Sequence, residues 1–143
     1  MDSYPCLLQL KEISKTFDSP NAAIDVLINA DLMVFAGETI SITGASGIGK
    51  STLLNIIGTL DQPDKGSLFF ENKDPFLFSA NQLARFRNKN IGFVFQFHYL
   101  LQGFNALENV MMPGLIAGKP KKKVEIGALN MLERVGLSAR STH

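Results

Sequence analysis

The stretch "TGASGIGKSTLLNIIG", residues 43–58, sets glycines, one lysine and two hydroxyls directly ahead of an apolar run. Gly47 and Gly49 can take backbone angles that other residues avoid, so successive N–H groups can turn to one side. A nest of that kind, reinforced by the positive end of a following helix, binds anions and phosphate above all. Lys50 adds a compact positive charge suited to the β- and γ-phosphates of a nucleotide. The Ser51 hydroxyl suits Mg²⁺, which keeps most of its waters and borrows phosphate oxygens. Thr52 offers one more phosphate hydrogen bond. The whole cradle runs Gly44, Ala45, Ser46, Gly47, Ile48, Gly49, Lys50, Ser51, Thr52. At Ile48 only the backbone is needed, and its side chain is expected to point away from phosphate.

Such a loop works only between a strand and a helix. "TISIT" (39–43) reads as a short β-rich strand leading in. Lys50 to Leu60 reads as a helix that is apolar on most faces and therefore buried. With both flanks in place, residues 44–51 match the P-loop pattern of glycine, four residues, glycine, lysine and serine or threonine. An ordinary glycine-rich turn would not need the lysine and the hydroxyl as well.

The remaining chain supplies further elements. "LLQLKEI" (7–13) reads as a first strand, and 14–24 as a polar connection turning at Ser19-Pro20-Asn21. Residues 25–35 look like strand material around a break at Asn29, with a tight turn at Ala36-Gly37-Glu38. "LFFE" (68–71) and "IGFVF" (91–95) are compact apolar strands. Ser79 with Gln82, and Asn105 with Glu108, have the three-residue spacing of helix N-terminal capping boxes. A last helix begins at Pro120, carries Val124, Ala128, Met131, Leu132 and Val135 as its apolar stripe, and ends at Gly136. The lysines from 119 to 123 suit either a solvated loop or anionic lipid head groups.

Composition narrows the function classes. The chain has 143 residues, 45% of them hydrophobic, enough for one domain-sized core. A net charge of +1 argues against general nucleic-acid binding. Cys6 is the only cysteine, so neither a disulfide framework nor a cysteine metal cluster can form. The N-terminus lacks the basic and apolar regions of a signal peptide. No apolar run approaches the roughly 18 residues needed to cross a bilayer. A reduced, cytoplasmic setting fits.

Two further stretches select among P-loop proteins. In "IGFVFQ", Gln96 directly follows a strand, and "FHYLLQGFNALENVMMP" comes behind it. This resembles the Q-loop of ATP-binding-cassette (ABC) ATPases. Asn105 stands where threonine is usual, and asparagine caps a helix as well. The resemblance implies that Gln96 reaches the Mg²⁺ or the attacking water, and that Lys50 and Gln96 serve catalysis. It implies Mg²⁺ held through Ser51 and Gln96, with ATP as the nucleotide. Phe17, in "SKTF", stands where this family stacks an aromatic ring on adenine, and Phe keeps the π-face. "FQFHYLL", "ALENVMMP", "GTLDQPDKGSLFF" and "MLERVGLSARSTH" are similar to the lipoprotein-releasing branch and its macrolide-exporting relatives. Gln102 in place of a usual proline, and Ile48 in place of a usual small residue, are minor departures.

The resemblance implies an α/β fold, a P-loop NTPase of ABC type. It has a mixed sheet with an antiparallel β edge and the start of the helical subdomain. Residues 1–96 would form the nucleotide-binding core and 97–143 the beginning of the helical subdomain. The family's signature motif, Walker B carboxylates and switch histidine do not occur in residues 1–143, and the C-terminal core strands are absent with them. The chain is therefore expected to be the N-terminal part of such an ATPase, inactive by itself. The implied function is an ATP-binding subunit coupling ATP binding and hydrolysis to release of lipoproteins from the inner membrane. A peptide or drug exporter of the same superfamily, and a nucleotide-binding module without turnover, remain alternatives. Implied partners are transmembrane subunits and a second ATP-binding subunit, at the cytoplasmic face of the inner membrane. Phe97, Tyr99, Leu100, Leu101 and Phe104 would receive the membrane partner's coupling helix or pack inside the subdomain.

Overall fold

The computed structural model describes residues 5–20 and 22–143. The chain packs as two compact units, the first ending at Arg87 and the second spanning Asn88–His143. In the first unit β1 (Cys6–Asp18) and β2 (Ala23–Phe35) form a long antiparallel hairpin. β3 (Lys65–Phe70) pairs with the other side of β1, giving the order β2-β1-β3. α1 (Lys50–Ile57) packs Leu53, Ile56 and Ile57 against this sheet.

Leu8, Leu10 and Ile13 of β1 are all buried, which breaks a strict alternation. The reason is a bulge. Glu12 sits at φ 52 and its N–H donates to the Asp31 carboxylate at 3.0 Å. One extra residue shifts the phase, so Ile13 returns to the core face. Opposite the bulge, Gly66 has φ 90, and a Cβ there would meet the carbonyl oxygens of Lys11 and Glu12. On β2 the expected break at Asn29 is a second irregularity. Asn29 lies at φ 46, and its N–H donates to Ser14 Oγ at 3.0 Å. The strand bends there and continues.

Several expectations from sequence need correction. β1 extends through the polar residues 14–18, so Phe17 lies on a strand and not in a connection. Beyond it the Ser19 N–H donates to the Ala22 carbonyl at 3.2 Å. Asn21, part of the expected turn, lies outside the described residues. Residues 39–43 and 91–95 form no strand, and the three described strands are all antiparallel. A strand exists only with a ladder partner, and among the described residues no strand runs beside either segment. Alternate rings of 91–95 still fall together, Phe93 stacking on Phe95 with centroids 4.9 Å apart. α1 is not buried on most faces either. Ile56 is its buried residue, while Leu54 and Leu60 are exposed.

α2 (Ala80–Asn90) starts with the expected Ser79–Gln82 box, the Ser79 N–H donating to Gln82 Oε1 at 2.9 Å. In the second unit α3 (Ala106–Ile116) opens with the Asn105–Glu108 box, both bonds at 2.9 Å. Two more first-turn donors of α3, the N–H groups of Ala106 and Leu107, reach the carbonyls of His143 and Ser141. α4 (Lys121–Arg134) lays Val124 and Ala128 against α3, beside Met111, Leu107 and Val110. Gly114 makes this approach possible. A Cβ there would come within 2.8 Å of Val124 Cγ1. Of the expected stripe on α4, Met131 and Val135 are exposed instead.

Candidate functional site

The loop ahead of α1 has the left-handed backbone that its glycines permit. Gly47 lies at φ 80 and Gly49, the N-cap of α1, at φ 98. Gly49 also rests on β2, and a Cβ would meet the Val26 carbonyl oxygen at 2.8 Å. Any other residue is therefore excluded twice, by angle and by space. Among the described residues no side chain caps α1, and no acidic residue occupies its first turn. Its leading N–H groups, at the positive helix end, are thus left to an anion.

Lys50 Nζ donates to the carbonyls of Gly44 at 2.9 Å and Ala45 at 2.6 Å. An ammonium has three N–H donors, so these bonds fix it over the loop and leave one donor for a ligand oxygen. Ser46, Gly47, Gly49, Lys50, Ser51 and Thr52 line a cavity of about 350 Å³, together with Phe17 and Val26. The structure thus gathers the residues expected to cradle phosphate and the ring expected to stack on the base around one space. Gly44 and Ala45 contribute their carbonyls to Lys50. Ile48 is not a lining residue and is 60% exposed.

Gln96 belongs to the second unit, exposed in the irregular run between α2 and α3. Phe97, Tyr99, Leu100, Leu101 and Phe104 of the same run are all exposed. Tyr99 packs its ring edge-on against Phe95 within the unit, centroids 5.1 Å apart.

Sequence reasoning missed Lys15 and Val26. Val26 carries no local signal. Lys15 could have been found, because residues two apart on a strand share a face. Its Nζ lies 5.4 Å from the centre of the Phe17 ring. It also donates to Asp61 Oδ1 at 3.1 Å and to the Gln62 carbonyl at 2.7 Å, with Asp64 at 3.5 Å. Burial pulls the Lys15 pKa down, but the bond to Asp61 and the charges of Asp61 and Asp64 outweigh it and hold it above the usual lysine range. The Thr16 N–H donates to Asp64 at 2.7 Å, and this bond, with Lys15 nearby, holds the Asp64 carboxyl below its usual range.

The family model described as ABC transporter matches residues 27–143. The chain belongs to the ABC transporter family. Among the relatives of this ABC chain is the lipoprotein-releasing system ATP-binding protein LolD of Geobacter metallireducens, 51% identical over 96% of this chain. LolD of Idiomarina loihiensis is 46% identical over 96% of it, and that of Bdellovibrio bacteriovorus 47% over 92%. The chain spans only about 60% of each of these relatives. A dimeric ATP-binding cassette in a post-hydrolysis state, bound to ADP and Pi, matches with a TM-score of 0.88 and 35% identity. That likeness covers 96% of this chain and 61% of the other. The α/β ABC fold with its antiparallel β part is thereby established. No helix among the described residues is long and apolar enough to cross a membrane.

Proposed function

We propose that this chain is the nucleotide-binding part of an ABC transporter ATPase that couples ATP binding and hydrolysis to lipoprotein release from the inner membrane. The observation that carries the nucleotide reading is the cavity shared by the α1 N-terminus and Phe17. Phosphates fit one side of it and a flat base the other. The likeness to LolD proteins at 44–51% identity supports the lipoprotein substrate.

In this reading the N–H groups of Gly47 to Thr52 hold the β- and γ-phosphates, and Lys50 neutralises their charge. Phe17 stacks on the adenine. Among the described residues no cluster of three carboxylates, histidines or cysteines forms a metal cage. Independently of that, the Ser51 hydroxyl lines the cavity and suits a Mg²⁺ that arrives with ATP and takes its other oxygens from the phosphates and water. When bound, the ion would spread the charge of the leaving phosphates. Gln96 would come to this ion or to the attacking water.

Residues 1–96 then serve the nucleotide, and 97–143 begin the helical part that meets the membrane subunits. The exposed side chains of Phe97, Tyr99, Leu100, Leu101 and Phe104 suit such a contact. A second ATP-binding subunit completes the transporter, peripheral at the cytoplasmic face. Steady-state phosphate release and lipoprotein release are to be assayed with the protein assembled with its transmembrane subunits in proteoliposomes. ATP-dependent release of a lipoprotein supports the proposal. Export of a drug or peptide without lipoprotein release would overturn the substrate, and absence of ATP binding would overturn the whole reading.

A further inference from the structure

We propose that Lys15 is a positioning residue for the nucleobase, fixing the Phe17 ring so that one face is left to stack on an aromatic base. The inference rests on the nucleotide reading above and adds a residue to it. Phe17 is 43% exposed, and a ring that exposed would turn freely about χ1 and χ2 and lose entropy on stacking. Lys15 limits that freedom, with its ammonium 5.4 Å from the ring centroid.

The ammonium is itself held from several sides. Asp61 at 3.1 Å, the Gln62 carbonyl at 2.7 Å and Asp64 at 3.5 Å fix its place. Asp64 in turn accepts the N–H of Thr16, the residue between Lys15 and Phe17, at 2.7 Å. Residues 61–64 lie just beyond α1, whose first turn forms the phosphate cradle. One chain of contacts thus runs from the phosphate helix through 61–64 to Lys15 and the ring. The two ends of the ligand are held at a fixed spacing by side chains that never touch its phosphates.

The test compares ligands with and without a base, using the full-length natural protein. ATP and inorganic tripolyphosphate are titrated against wild type, Lys15→Met, Lys15→Arg, Phe17→Ala and the Lys15→Met/Phe17→Ala double variant. Lys15→Met is expected to lower ATP affinity about three- to ten-fold and to leave tripolyphosphate binding unchanged. That unchanged binding also shows that the loop is folded. Lys15→Arg, which keeps charge and ring contact, is expected to bind ATP like wild type. In the Phe17→Ala background Lys15→Met should add no further loss. Equal losses for both ligands, additive losses in the double variant, or wild-type ATP affinity in Lys15→Met each overturn the role of Lys15. If Phe17→Ala itself binds ATP like wild type, base stacking on this ring is wrong and this inference goes with it.

Discussion

The guanidinium of Arg87 donates from Nη1 to the carbonyl oxygen of Thr59 at 2.9 Å, joining residues 28 apart in the chain. Thr59 lies just past the C-terminal end of α1, where helix carbonyls lack partners and a positive charge is favoured. The bond is partly buried. Arg87→Met keeps the aliphatic stem and removes the donor. It is expected to lower unfolding stability by about 1.5–3 kcal/mol, read as a lower urea midpoint with unchanged slope. An unshifted midpoint would show that α1 needs no such anchor.

Thr59 has a second peculiarity. Its Oγ1 is buried with no hydrogen-bond partner among the described residues, and the residue is 3% exposed. Thr59→Val keeps the shape and the β-branching, which is already strained at φ 57, but removes the stranded hydroxyl. The unsatisfied group costs about 1–3 kcal/mol, so the valine variant should melt at a higher temperature. A lower melting temperature would mean that the hydroxyl finds a partner or that valine is strained more than threonine at φ 57, and either outcome contradicts the expected gain.

Lys50→Ala should weaken ATP binding by about 1.5–3 kcal/mol, the worth of a charge-assisted contact. That is roughly 10- to 150-fold in affinity, readable by equilibrium titration with a fluorescent ATP analogue. Unchanged affinity would contradict the phosphate cradle.

Asp64 sets an acid dependence. Its folded pKa lies below the ordinary value, chiefly through the Thr16 N–H, so the folded state binds the proton less readily than the unfolded chain. The resulting stability is complete above the unfolded pKa, about 3.9, and is lost as pH falls through the folded value. Urea midpoints of wild type and Asp64→Asn should therefore differ at pH 6 or so and converge in acid. A gap that stays constant with pH would rule out this linkage.

Gly114→Ala sets two effects against each other. Alanine favours a helix by about 1 kcal/mol over glycine. Its Cβ, however, would lie 2.8 and 3.0 Å from the two methyls of Val124, a stiff, buried side chain. The clash should win, and Gly114→Ala should destabilise the second unit. In a Val124→Ala background the same change should be neutral or stabilising. Additive effects in the double variant would show that the helices do not meet here.

Local chemistry was legible in the sequence, and long-range contact was not. The loop from Gly44 to Ser51 and both capping boxes depend on residues three to seven apart, so the pattern carries its own geometry. Residues 39–43 and 91–95 show why apolar β-rich composition is insufficient, since a ladder needs a second segment that composition cannot name. From sequence, Phe17 reads as part of a polar connection because Ser14, Lys15 and Thr16 look like loop residues. They stay in the strand because the hairpin register runs on to Asp18 opposite Ala23. The Glu12 bulge and the Arg87–Thr59 bond each join distant positions and left no trace in local spacing.

Gly66 gives this chain a false catalytic signature. Its φ of 90 and the carbonyls of Lys11 and Glu12 leave no room for a Cβ, and both obstacles are backbone. In a saturation library scored by cell growth, the position should tolerate nothing but glycine, as the cradle glycines should. Yet Gly66 does not line the cavity proposed for phosphate. Mutational sensitivity alone would place it in the nucleotide site. Only a measurement that separates folded amount from specific activity would assign its intolerance to the bend in β1.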